Sequence, residues 1–225
     1  MSRVAITTDR FAAVAGHFAG LGLTPVEAAC VRIEAAEPGI LDDARRAVQA
    51  ADLVILGSAR TVRILWPGGR MPDVAVAAVG SVSAAAAETA GARVVVVGDG
   101  GLARLVEKAG SRLRRGKVVF PHGAGSDPHG MDRLRSMSAW LYEKEIYASI
   151  PVAPPPVEVD CVVFASPSAV EGWTLTRALE GLVVGVIGET TARAAARYGA
   201  PDAVAPQPSY PALARALASH LEVAK

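Results

Sequence analysis

The sequence predicts an α/β protein built as two similar lobes, each a parallel sheet flanked by helices. Three observations carry that expectation. Short apolar, β-branched runs alternate with alanine-rich amphipathic stretches along the chain. The chain matches itself at one fixed offset over two such units. A proline-rich stretch at residues 147–157 and a Pro38-Gly39 break mark places where the chain would pass between lobes.

Composition sets the bounds. Of 225 residues, 51% are hydrophobic and 20% charged, which suits a packed core in one large or two small domains. Aromatics make up 5%, so Val, Leu, Ile and Ala must fill that core. A net charge of +1 argues against a nucleic-acid partner, which needs a concentrated basic face. Arg112, Arg114, Arg115 and Lys117 form one short basic cluster, read as a solvated helix end with anion steering as the alternative. Cys30 and Cys161 lie among apolar residues and read as buried free thiols. They cannot build a zinc site alone, and no His or Cys stands at ligand spacing from them. The first ten residues lack the apolar core of a signal peptide, and no run of about 18 apolar residues exists. The expectation is a cytoplasmic protein with no membrane contact.

Taken in chain order, strands are expected at residues 4–7, 29–34, 53–56, 74–78, 94–97, 117–120, 161–164 and 183–187. Most are short apolar runs bounded by Gly, Ser, Pro or Asp, as in strands buried on both faces. Helices are expected at residues 11–20, 41–50, 82–90, 101–109, 131–143, 169–179, 191–198 and 211–221. Strand–helix alternation of this kind gives parallel sheets covered on both faces.

The internal match starts at Asp52 and Asp160. Ser58 falls on Ser166 and Val62 on Val170, an offset of 108 (166 − 58). Without a gap, the same offset places Gly80 on Gly188, Ser83 on Thr191 and Gly91 on Gly199. The proposed lobes are residues 1–33 with 152–225, and residues 37–146, with linkers near 34–36 and 147–151. Two crossings make a paired hinge, and clefts between lobes are common ligand sites.

In parallel sheets, ligands bind beyond the carboxyl ends of the strands, where helix starts offer unpaired N–H groups. The repeat supplies four such turns: Gly57-Ser58-Ala59-Arg60, Gly80-Ser81-Val82-Ser83, Ser166-Pro167-Ser168-Ala169 and Gly188-Glu189-Thr190-Thr191. Ordinary helix capping and a shared anion-binding role both fit them. Gly98-Asp99-Gly100-Gly101-Leu102-Ala103 satisfies a dinucleotide fingerprint, but no acid ends the next strand, which favours a close-approach glycine turn. His122 and His129 flank a Gly-rich loop and read as loop polarity, substrate contact or, least of all, a metal site. Tyr147 stands where the chain leaves the middle lobe, either packing there or pointing into the cleft as a donor.

These residues resemble the uroporphyrinogen-III synthase family over most of the chain. Asp52 to Val62 is similar to the family's first Ser-containing strand–turn–helix, and residues 78–84 to its Val-Gly turn. Val163-Phe164-Ala165-Ser166-Pro167-Ser168-Ala169-Val170 and Ile187-Gly188-Glu189-Thr190-Thr191-Ala192 resemble its two most specific segments. Ile146-Tyr147 before the Pro-containing linker resembles its hinge Tyr, and Pro208-Ser209 its late cap. The chain departs from the family pattern at Arg10, at Pro121-His122-Gly123, and at Glu189.

The resemblance implies two lobes on a two-stranded linker with the active site in the interlobe cleft. It implies cyclisation of hydroxymethylbilane, with loss of water and inversion of ring D, and no cofactor or metal. Tyr147 is then the catalytic proton donor. Ser58, Ala59, Arg60, Gly80, Ser81, Ser83, His122, Gly123, Ser166, Pro167, Ser168, Gly188, Thr190 and Thr191 are the expected substrate contacts. The implied partner is a small-molecule tetrapyrrole, taken by a monomer in handover from hydroxymethylbilane synthase. The competing expectations are a non-catalytic two-lobe ligand-binding or regulatory relative, and a nucleotide-dependent enzyme using the Gly98 turn.

Overall fold

The computed structural model describes residues 1–223. Its elements run β1 (Arg3–Ile6), α1 (Phe11–Ala19), β2 (Thr24–Glu27), β3 (Val31–Ala35), α2 (Pro38–Gln49), β4 (Leu53–Leu56), α3 (Ala59–Leu65), β5 (Ala75–Ala78), α4 (Ser81–Thr89), β6 (Arg93–Val97) and α5 (Gly101–Ala109). A 3-10 turn (Gly110–Arg114) leads to β7 (Lys117–Gly123), α6 (Pro128–Met137), β8 (Trp140–Pro151), β9 (Cys161–Phe164), α7 (Pro167–Thr174), β10 (Val183–Val186), α8 (Glu189–Ala195), β11 (Ala203–Val204) and α9 (Tyr210–Val223). The chain forms two compact units: a split unit of Met1–Ile33 with the chain from Ser149 onward, and a middle unit of Glu34–Ala148. The division falls inside β3 and inside β8.

The split unit holds a five-stranded sheet in the order β11-β10-β9-β1-β2, and all its paired strands are parallel. Side chains alternate across it. Val4, Ile6, Cys161 and Val163 pack into one cluster with residues of α1 and α9. Ala5, Val162, Phe164, Val184 and Val186 pack into another with α7 and α8. The six-stranded sheet has the order β3-β8-β7-β4-β5-β6. Val54, Leu56, Val76 and Val119 meet α3 and α4 on one face, while Leu53, Ile55, Val118 and Phe120 meet α5 and α6 on the other. Period-two alternation with both faces apolar is why these strands read as continuous hydrophobic runs.

The internal repeat is carried by whole elements. β4 and β9 start 108 residues apart (161 − 53), as do β5 and β10 (183 − 75). The starts of α3 and α7 (167 − 59) and of α4 and α8 (189 − 81) keep the same spacing of 108. The matched aspartates share a structural task. Asp52 N donates to Lys117 O at 3.0 Å and its carboxylate accepts from Lys117 N at 2.8 Å. Asp160 N donates to Arg3 O at 2.9 Å and its carboxylate accepts from Arg3 N at 2.8 Å. Each aspartate therefore seals the start of a neighbouring strand, β7 in one unit and β1 in the other. The two units thus share one strand order, entered at different points: β9, β10, β11, β1 and β2 occupy the places of β4, β5, β6, β7 and β8.

Ser58 and Ser166 both sit in extended backbone before their helices. Ser58 Oγ accepts from Arg60 N at 3.1 Å, and Ser166 Oγ accepts from Ala169 N at 3.3 Å. Each hydroxyl thus caps an amide in the first turn of its helix. Ser58→Ala and Ser166→Ala are each expected to lower stability by about 1 kcal/mol, seen as a lower urea midpoint at unchanged slope.

Several expected elements are corrected by the structure. Residues 131–143 do not form one helix: α6 ends at Met137 and Trp140 opens β8, a strand of 12 residues. Met131, Leu134, Met137 and Leu141 keep a helical apolar spacing, but Ser138 already has extended backbone at φ −90°, ψ 131°. Residues 147–151, where the chain passes from one unit to the other, are the end of this strand, and the irregular segment begins at Val152. The helix expected to reach residue 179 ends at Thr174. β2 has no apolar alternation to announce it, since Pro25 interrupts it and it lies at the sheet edge, as proline in strands does.

Candidate active site

In the middle unit, β4 and β5 are parallel neighbours. The turns after them therefore open side by side, and Val79 N donates to Leu56 O at 3.0 Å to hold them. In the split unit Ile187 N donates to Phe164 O at 3.0 Å in the same way. Ser58 and Arg60 are half-buried, Ala59 is buried, and Ser81 is exposed beside half-buried Gly80. In the other unit Ser166, Pro167, Ser168 and Gly188 are half-buried and Thr190 is exposed. Ser83 and Thr191 are buried in the third positions of α4 and α8. Ser166 and Ser168 hydroxyls lie 3.0 Å apart. Gly80 and Gly188 offer no capping side chain, so the first amides of their helices keep their donors for solvent or an anion. Arg10 caps α1 without a side-chain hydrogen bond and is exposed, as is Glu189.

His122 and Gly123 are not in a loop. They are the last two residues of β7, both buried, and the loop proper is residues 124–127. The parallel ladder to β8 extends β7 past the expected end at residue 120. That ladder slips between His122 and Gly123, so Glu145 faces His122 and Tyr147 faces Gly123. The skipped residue, Ile146, is fully buried with Ala44 and Leu65. A slip of this kind re-aims a side chain, and here it lays the Tyr147 ring over Gly123. A Cβ on Gly123 would stand 2.5 Å from Tyr147 Cζ and 2.8 Å from its hydroxyl. Any larger residue at this position would push the Tyr147 ring aside. The Arg60 guanidinium lies 5.8 Å from the centre of the Tyr147 ring, within cation–π range.

A cavity of about 630 Å³ opens at this end of the middle unit, lined by His122, Met131, Arg135, Lys144, Glu145 and Tyr147 among others. Its size is that of a small-molecule site. His122 is 7% exposed, its ring stacked on Phe120 at 4.8 Å. Its Nδ1 lies 3.0 Å from Gly123 O. A carbonyl only accepts, so Nδ1 carries the proton. Ser126 Oγ donates to the same carbonyl at 2.9 Å. Arg135 is held by Glu143, with contacts of 2.7–3.1 Å, and by Asp132 at 3.1 Å. Lys144 forms no ion pair among the described residues. Arg135, Lys144 and Glu145 were not legible in the sequence, because a helix across residues 131–143 conceals the strand that sets Lys144 and Glu145 beside Pro121 and His122.

Other chemistry is narrowed by geometry. Burial pushes the Cys30 thiol up to about 12 and the Cys161 thiol up to about 11, so neither supplies a thiolate at neutral pH. Among the described residues, no three His, Cys, Asp or Glu side chains come together as metal ligands would. Gly98 follows β6 closely against Val79 O, where a Cβ would stand at 3.0 Å. No helix of the described residues is long and apolar enough to cross a membrane.

Fold and site together define a two-unit α/β protein of parallel sheets, with hydroxyl- and amide-bearing turns at the carboxyl ends of its strands. The chain belongs to the uroporphyrinogen-III synthase family, whose model (Uroporphyrinogen-III synthase HemD) matches residues 12–215. This is an enzyme family of porphyrin biosynthesis. Among solved structures, a mutant uroporphyrinogen III synthase from Thermus thermophilus is similar at a TM-score of 0.64 and 21% identity, over 99% of this chain and 100% of that one. The wild-type Thermus thermophilus protein in another crystal form is similar at 0.52 and 20%, over 100% and 99%. A uroporphyrinogen-III synthetase from Helicobacter pylori is similar at 0.67 and 14%, over 99% and 97%. At these identities the structures speak for the fold alone. Among curated proteins none matches the chain.

Proposed function

We propose that this chain is a uroporphyrinogen-III synthase, a cyclising hydro-lyase that converts hydroxymethylbilane to uroporphyrinogen III with loss of water and inversion of ring D. The observation that carries the reading is the family match across residues 12–215. The site chemistry agrees with it. The substrate is a reactive polycarboxylate, so the protein's main work is to orient it. Ser58, Arg60 and Ser81 in the middle unit, and Ser166, Ser168 and Thr190 in the split unit, are proposed as carboxylate contacts, each unit offering its own set. Tyr147, over Gly123 and beside Arg60, is proposed as the proton donor to the departing hydroxyl. Cytoplasmic location, a monomeric state, handover from hydroxymethylbilane synthase and independence of cofactor, nucleic acid and membrane belong to the same proposal.

The test is product identity. Supplied with hydroxymethylbilane, the protein is expected to yield the type III isomer, whereas the enzyme-free control closes to type I. Type I alone in both reactions would reject the reading and leave the non-catalytic relative standing.

A further inference from the structure

We propose that His122 is a second catalytic residue of the Tyr147 cavity: the base that takes the pyrrole N–H proton as the bilane loses its hydroxyl. The proposal rests on the synthase reading and adds to it a role for which Tyr147 alone does not suffice.

Departure of the hydroxyl needs two proton movements. The C–O bond breaks with its electron pair going to oxygen, and that oxygen takes the phenol proton of Tyr147. The nitrogen of the same pyrrole ring gives up its proton, and the N–H pair enters the ring to give the neutral azafulvene. One proton is donated and one accepted, so bilane becomes azafulvene plus water. Conversion of azafulvene to the macrocycle is an isomerisation. The imidazolium then returns its proton to the tyrosinate through solvent in the cavity, and the pair is reset.

The structure places one imidazole at the cavity for the accepting half. His122 lines the same cavity as Tyr147. Gly123 O fixes its Nδ1 as the protonated nitrogen at 3.0 Å, and Ser126 Oγ pins that carbonyl in turn at 2.9 Å. This is the two-layer orientation by which a histidine is committed to one tautomer. Nε2 is left with its lone pair, and no other hydrogen bond reaches the ring among the described residues. Stacking on Phe120 and 7% exposure fix the ring plane. The residue that orients His122 is also the one that seats Tyr147, since Gly123 offers its carbonyl to one and its missing Cβ to the other. The remaining charged groups of the cavity suit other tasks. Lys144 is a cationic side chain, Arg135 is engaged by Glu143 and Asp132, and Glu34 and Glu145 are exposed.

The decisive variant is His122→Asn, in which the amide nitrogen can still donate to Gly123 O while the Nε2 lone pair is gone. It is compared with wild type on hydroxymethylbilane, following kcat, KM, product isomer and pH profile. The charged and titratable groups that share the cavity with His122 are Glu34 from β3, Arg135 from α6, and Glu143, Lys144, Glu145 and Tyr147 from β8, with Arg60 from α3 over the Tyr147 ring. All are retained in the variant, so a change in the acid limb belongs to His122. The expected result is a kcat lower by about 100-fold or more, with KM nearly unchanged. The acid-side fall of kcat is expected to be lost, and added imidazole to restore part of the turnover. A His122→Asn protein whose kcat stays within about tenfold of wild type, with the acid-side fall intact, overturns the proposal. If His122→Asn does not fold, His122→Gln is read by the same criteria. Type I product from the wild type itself would instead overturn the synthase reading on which the proposal stands.

Discussion

Tyr147→Phe is expected to lower kcat on hydroxymethylbilane by about 10² or more, the scale of a lost general acid, while leaving the fold and KM nearly intact. The hydroxyl is the only group removed. The ring keeps its seat over Gly123 and its place 5.8 Å below the Arg60 guanidinium. The main chain keeps the hydrogen bond in which Ala124 N donates to Tyr147 O at 2.8 Å. Stability should therefore move little, and the loss should fall on the chemical step, not on binding. Steady-state kinetics with a thermal melt of the same preparation separate the two. An unchanged kcat would remove the donor role and leave Tyr147 as packing against β7.

Gly172→Ala should be the most damaging small substitution in the split unit. Gly172 lies inside α7, and helix propensity alone would favour alanine there by about 1 kcal/mol. Packing opposes it more strongly. A Cβ at Gly172 would stand 2.7 Å from Val152 O and closer still to Cys30 O. Both obstacles are main chain, and Val152 N already donates to Cys30 O at 2.9 Å. Neither can rotate aside as a side chain would, so α7 must lift or that hydrogen bond must break. A net loss of about 2–3 kcal/mol is expected, which lowers Tm by about 5–10 °C in a chain of this size. Gly16 in α1 is the internal control, because a Cβ there meets nothing within 4 Å. Gly16→Ala should hold or slightly raise Tm. An unchanged Tm for Gly172→Ala would show that α7 is not closed against these carbonyls.

The parts of the fold legible in the sequence are those whose causes are local. β4, α5 and β9 have the bounds that their apolar runs and flanking turns predict. The four helix-start turns fall where the repeat places them, and Ser58 and Ser166 take the capping role that was one of their two readings. β8 was hidden because the helical apolar spacing of α6 runs on to Leu141 and the strand's own middle is charged. β2 was hidden because an edge strand has little apolar side to show. His122 looked like a loop residue because glycines and prolines follow it, whereas six consecutive pairings with β8, from Lys117 to His122, make it strand.

The sequence by itself determined the class of architecture, the common design of the two units and the family motifs, all of which depend on neighbours within one strand–turn–helix. Only the tertiary structure decided what those motifs touch. The Asp52 and Asp160 carboxylates are held by strands 65 and 157 residues away. The Tyr147 ring reaches Gly123 through a slipped ladder that no periodicity records. The physical reason is the same in each case. A hydrophobic period reports which face of an element is buried, but the register between distant strands is set only when their backbone hydrogen bonds close, and that register is what places His122 and Tyr147 at one cavity.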